Sequence, residues 1–116
     1  MKVTVSGSPI ADERSPKCGM VMDFGDLKRI VAENIVSRFD HAMVIRRTAD
    51  NGAFVDDLRA RYDSVIETSY QPTSENMLLE FVETLREHLP AGVKLESVKL
   101  YETATSCAQW RAEDNE

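Results

Sequence analysis

Cysteine and histidine are scarce in this chain, with two of each in 116 residues. Cys18 and Cys107 cannot build a disulfide framework, and their separation fits no zinc-binding spacing. A reducing cytoplasm is therefore the expected setting. No apolar run approaches the ~20 residues that a bilayer span requires. The opening "MKVTVSG" lacks the apolar core of a signal peptide. Positive charge is not in excess either: the net charge of −6 argues against nucleic acid or an acidic membrane surface as the main partner. There is no internal repeat and no low-complexity segment.

What the sequence has is ordinary globular material, 42% apolar and 29% charged residues, at a length that suits one domain with a single core. Residues 1–116 are accordingly expected to form a single domain. "KVTVS" alternates, with Val3 and Val5 on one face, and predicts a strand. "GSPIADERSPKCG" is rich in turn formers and charge and predicts a hairpin-like connection, after which "MVMDF" is expected to return as a second strand. In "GDLKRIVAENIVSRF", Leu27, Ile30, Val31, Ile35 and Phe39 recur at helical spacing and make one buried stripe, with Asp23 or Asp26 serving the helix start. Residues 45–71 carry weaker signals, with a short helix in "FVDDLRARY" and a short strand in "SVIETS". Thr73 then caps a helix whose first turn holds Glu75 and whose Leu78, Phe81, Val82, Leu85 and Leu89 share one face, and "LPAG" stops it. "VKLESVKLYET" reads as a strand, "SCAQWRA" as its hairpin partner and "EDNE" as a polar tail. The order β-β-α-(β)-α-β-β, with one apolar stripe on each helix, predicts an α+β fold: an antiparallel β-sheet with two helices packed on one face.

The two histidines raise the question of chemistry. His41 follows Asp40 in "SRFDHAM" at the end of the first helix. A histidine there can simply complement the helix dipole. It is also the side chain suited to moving protons near neutral pH. His88, in "LREHLP", reads as a helix-end residue, and Cys107 as packing in the last strand. Glu102 and the Thr73–Ser74–Glu75 run have equally plain readings, as a solvated charge at a strand end and as a helix cap.

Four motifs in order carry a resemblance: "GMVMDFGDLK" (19–28), "FDH" (39–41), "PTSEN" (72–76) and "VKLYET" (98–103). Together they resemble the 6-pyruvoyltetrahydropterin synthase family, which includes the bacterial 6-carboxytetrahydropterin synthases of the queuosine pathway. The resemblance runs from about residue 2 to about residue 111. It implies the tunnelling fold, with subunits joined edge to edge into a closed barrel, commonly a homohexamer of two stacked trimers. It implies a lyase of queuosine or tetrahydrobiopterin biosynthesis acting on 7,8-dihydroneopterin triphosphate, from which triphosphate is eliminated through proton transfers. Asp40 and His41 match the family's proton-shuttling pair. Glu102 matches the glutamate that anchors the pterin, where a carboxylate offers two acceptors to a donor–donor edge. Thr73, Ser74 and Glu75 match the segment that also contacts the pterin.

The resemblance also implies zinc, held by three histidines, and a catalytic cysteine. All four would precede Met1, since "MKVTVSG" fits the strand after the family's His-Gly-His motif. The expectation is thus a chain without the family's first strand and metal ligands, either through a displaced start or as a degenerate member, and inactive in this form. Cys18 does not occupy the family cysteine's place, and Trp110 stands where tyrosine is frequent. Two other readings stand beside the enzyme: a metal-free pterin- or purine-binding module, and a structural subunit of a tunnelling-fold oligomer.

Overall fold

The computed structural model describes residues 1–115. The chain runs β1 (Lys2–Ser6), α1 (Phe24–Val31), a π-helical turn (Ala32–Val36), α2 (Ser37–Phe39), β2 (Met43–Arg46), α3 (Gly52–Arg61), β3 (Val65–Thr68), α4 (Ser74–His88), β4 (Lys94–Tyr101), β5 (Cys107–Arg111) and a 3-10 turn (Ala112–Asp114). Three strands form an antiparallel sheet in the order β1-β4-β5, and β2 and β3 form a separate parallel pair. The molecule is elongated, with extents of 58 × 29 × 27 Å. This is the α+β architecture expected, an antiparallel sheet carrying helices, with a βαβ unit added to it.

The core lies between the three-stranded sheet and two helical layers. The α1 rod continues through the π turn into α2, and it contributes Ile35, with Ile30, Val31 and Phe39 packed at the margin. From α4 come Leu78, Phe81, Val82 and Leu85, and from the sheet Leu95, Val98 and Trp110. Phe39 meets Phe81 edge to face, with ring centroids 4.9 Å apart, the arrangement that aromatic quadrupoles favour. Arg86 covers the Trp110 ring at 4.6 Å.

Leu95 and Val98 are both buried although they lie three residues apart in one strand, whereas strict alternation would send one of them to solvent. A register shift between Thr4 and Val5 resolves this. Val3 pairs with Val98 and Val5 with Leu95, so β4 carries one extra residue, and both side chains face the helices. A bulge of this kind re-aims side chains by local twist.

Three expectations need correction. "MVMDF" is not a strand: residues 20–23 are irregular, and Asp23 caps α1 by accepting from the Gly25 N–H at 2.8 Å. Gly19 turns the chain at φ +86°, a conformation that glycine adopts without penalty. Two backbone hydrogen bonds, Ile10 N–H to Met20 O and Gly19 N–H to Ile10 O, tie this segment to Ile10. Second, Met43–Arg46 forms a strand where none is expected from the sequence, paired in parallel with β3. Third, Cys107 is exposed rather than packed. Along β5 it is Ala108 and Trp110 that turn inward.

Ion pairs reinforce the βαβ unit. Arg47, just after β2, bonds to Glu67 on β3 and to Asp56 on α3, and Arg59 on α3 bonds to the other Glu67 oxygen at 2.8 Å. The hydrogen bond from Arg47 holds the Glu67 carboxyl below its ordinary range, and Arg59 adds to the effect.

Candidate functional site

The singled-out residues fall into two pairs. The first is at the end of the α1–α2 rod. Asp40 leaves the helix with extended backbone (φ −63°, ψ 123°), and His41 follows at φ 55°. Ala42 N–H donates to Phe39 O at 3.1 Å and closes the turn. These values describe a type II turn, whose third position favours glycine because φ is positive there. Among the described residues His41 is the one non-glycine with positive φ. Backbone strain of this kind, at a residue with a Cβ, clusters at functional sites. The His41 side chain is 93% exposed, and its Nε2 lies 3.7 Å from Asp40 Oδ1. That is an ion-pair distance, beyond hydrogen-bond range.

The second pair joins two motifs distant in sequence. Ser74, the first residue of α4, donates its hydroxyl to Glu102 Oε1, just past the end of β4. Both backbones are held locally. On the α4 side, Thr73 Oγ1 accepts from the Asn76 N–H at 3.2 Å, while Gln71 O accepts from Thr73 N–H and from Asn76 Nδ2. "PTSEN" is thus a closed capping loop. On the strand side, the Glu102 N–H donates to Ser106 O at 2.9 Å, and Thr103 Oγ1 accepts from the Thr105 and Ser106 N–H groups. Glu75 is exposed in the first turn of α4, where its charge complements the helix dipole.

Asn76 and Thr103 hold the two backbones that carry this pair, a part the sequence analysis does not assign to them. Their signal was present: an Asx residue three places after a capping threonine, and a threonine opening a short polar hairpin. No hydrogen bond or ion pair among the described residues links Asp40–His41 to Ser74–Glu102.

The "GMVMDFGDLK" segment makes no hydrogen bond or ion pair with either pair among the described residues. Lys17 bonds to Asp26 on α1, which pushes the lysine's pKa up and the aspartate's down. Gly7 lets β1 approach the turn before β4, because a Cβ there would stand 2.8 Å from Gly92 O. A further polar feature lies along α4, where Tyr70 donates to Glu80 at 3.0 Å; burial, then Glu80, pushes the phenol up to about 12.

The described residues do not suit a bound metal. His41 stands alone beside Asp40, His88 Nδ1 pairs with Thr84 O at 2.8 Å, and both cysteines are exposed on separate elements. Nowhere among the described residues do three His, Cys, Asp or Glu side chains converge as metal ligands. Nor is any described helix long and apolar enough to cross a membrane.

Comparison with known proteins adds the following. The family model described as 6-pyruvoyl tetrahydropterin synthase matches residues 1–113. The chain is 32% identical over 111 residues to the 6-pyruvoyl tetrahydrobiopterin synthase of Pongo abelii, covering 96% of this chain and 61% of that protein. It is 27% identical over 112 residues to the 6-carboxy-5,6,7,8-tetrahydropterin synthase of Haemophilus influenzae, covering 96% and 77%. The chain thus spans about three fifths of the first relative and about three quarters of the second.

Proposed function

The chain belongs to the 6-pyruvoyl tetrahydropterin synthase family, and from that premise we propose that it is a pterin-handling lyase of the cytoplasm whose substrate is 7,8-dihydroneopterin triphosphate. Glu102 grips the amino and ring N–H edge of the pterin. Ser74 and its neighbours Thr73 and Glu75 border the same edge. Asp40 and His41 move protons at the substrate's side chain, with His41 as the base and Asp40 stabilising its charged form. Elimination of triphosphate follows proton removal from that side chain. The product is of the 6-carboxy or the 6-pyruvoyl type.

The observation that carries this reading is the bond between Ser74 and Glu102. Two family motifs 28 residues apart meet at the point where a pterin edge would be read. Asp40, His41 and Glu102 are exposed and Ser74 is half-buried, which favours assembly, since a ligand pocket ordinarily buries most of its ligand and a single chain leaves these groups open. We place the chain in a homo-oligomer, a trimer or hexamer, in which neighbouring subunits close the pocket.

Zinc belongs to the chemistry that the family resemblance implies, but the described residues do not supply its ligands. The same fact favours a second reading, in which this chain holds pterin without turning it over. As a third possibility, it would serve only as a structural subunit.

Neopterin fluorescence titration separates the binding readings from the structural one. Glu102→Gln puts an amide donor where an acceptor is needed. Losing a charged acceptor costs about 1.5–3 kcal/mol, roughly ten- to a hundredfold in affinity. His41→Ala should leave binding nearly unchanged. Wild-type affinity in Glu102→Gln would refute the proposed grip.

A further inference from the structure

We propose that Ser74 is a positioning residue, one whose hydroxyl holds the Glu102 carboxylate in its ligand-ready orientation and which acts on pterin affinity only through Glu102. The inference rests on the reading of Glu102 as the pterin anchor and adds to it a device that sets the anchor's geometry.

The two backbones are fixed independently of each other. The capping loop around Thr73 and Asn76 fixes Ser74. The hairpin turn closed by Ser106 O and Thr103 Oγ1 fixes Glu102. What remains free is the Glu102 side chain, with three rotatable bonds in an exposed position. Among the described residues, Ser74 is the one side chain that bonds to it. A serine hydroxyl has a single proton to donate, so the contact selects one carboxylate oxygen, Oε1. That oxygen keeps a second lone pair, and Oε2 is left whole. The carboxylate is thereby presented with both oxygens able to accept from two adjacent N–H donors. The ordering of a flexible glutamate is completed before the ligand arrives, which removes part of the entropy cost of binding.

The position of Ser74 suits this role for a second reason. Thr73, not Ser74, accepts from the helix N–H groups, so the Ser74 hydroxyl is not engaged in capping. Removing it leaves the cap of α4 in place.

The test is a double-mutant cycle on the chain as it stands, read by neopterin fluorescence titration. Ser74→Ala should weaken binding roughly two- to tenfold, the worth of ordering one rotamer-rich side chain. Ser74→Thr, which restores a hydroxyl at the same position, should return affinity to within about twofold of the parent. In a Glu102→Ala background, Ser74→Ala should change nothing further. Unaltered thermal melting of the single variants excludes a fold effect. Wild-type affinity in Ser74→Ala, alongside weakened binding in Glu102→Ala, overturns the positioning role and leaves the anchor reading intact. An equal loss from Ser74→Ala in both backgrounds also overturns it, because the hydroxyl would then touch the ligand directly. No binding by the parent chain, or full affinity in Glu102→Ala, overturns the anchor reading and this inference together.

Discussion

Replacing His41 by glycine should make the protein more stable, and replacing it by alanine should not. His41 sits at φ 55° in a closed turn, and a side chain with a Cβ carries a cost of about 1–2 kcal/mol in that region. Histidine tolerates it better than most residues, so the lower figure applies. Glycine removes the clash but enlarges the entropy of the unfolded chain, which gives back about 0.4–1 kcal/mol. The net gain is about 0–0.6 kcal/mol, a rise of up to roughly 3 °C in Tm for a chain of this size. Alanine keeps the Cβ and loses only the contact with Asp40. That contact spans 3.7 Å between a 93% exposed imidazole and a 62% exposed carboxylate, and pairs of this kind contribute little. Thermal melting followed by circular dichroism, on the parent and both variants in one buffer, reads the difference directly. Equal melting temperatures for the glycine and alanine variants would refute the argument that the turn is maintained at a cost. In an assembly that turns the substrate over, the glycine variant should also lose turnover. The stability gain and the loss of chemistry together would identify His41 as kept for function.

Other outcomes follow from the packing and the charges. Leu85 is fully buried between α4 and the sheet, so Leu85→Ala should cost about 2–5 kcal/mol in chemical denaturation; a loss below 1 kcal/mol would contradict the core described. The lowered Glu67 carboxyl supplies stability that is fully present above the ordinary carboxylate range and is lost as pH falls through its depressed value. Protection factors of the amides across Gly52–Arg61, taken relative to intrinsic exchange at each pH, should therefore fall in acid, and Glu67→Gln should abolish that fall. Metal analysis of the purified chain should find well under one equivalent of zinc, and a stoichiometric, chelator-resistant ion would require unconventional ligands. Sedimentation should show a trimer or hexamer at micromolar concentration, and a clean monomer would count against pocket closure between subunits.

The legible parts of the fold are those where one physical signal dominates. α4 is marked at both ends and by its apolar face, from Thr73 at the cap to the Pro90–Gly92 stop, and its expected core residues Leu78, Phe81, Val82 and Leu85 are all buried. β4 follows from alternating apolar residues, and β5 as its partner across a polar turn. The βαβ unit was less legible because two kinds of interaction stabilise it. α3 buries only Val55, and its ties to β2 and β3 are ion pairs between residues 8 to 20 positions apart, which leave no periodic trace. The apolar run Met20–Met22 imitated a strand, but the backbone choices were made by its neighbours, Gly19 turning before it and Asp23 capping after it. In the candidate site, the motif resemblance singled out Ser74 and Glu102. That they bond to each other depends on where β4 ends relative to the start of α4, a tertiary fact that no local spacing encodes.

The two residue pairs are built on opposite principles, and that difference bears on what each can do. Ser74 and Glu102 are held by a capping loop on one side and a hairpin turn on the other, with a hydrogen bond between them. Such a pair is ordered before a ligand arrives, as recognition of a rigid, flat ring requires. Asp40 and His41 project from a turn into solvent with one loose contact. A proton shuttle gains from freedom to move between donor and acceptor, but in open water it has no fixed substrate geometry and no shielding from bulk protons. The first pair is therefore set for its ligand within a single chain and gains from a neighbouring surface that closes over it, whereas the second cannot act until such a surface covers it. Binding without turnover by the isolated chain, and turnover only in a closed assembly, is the pattern this division of roles leads to.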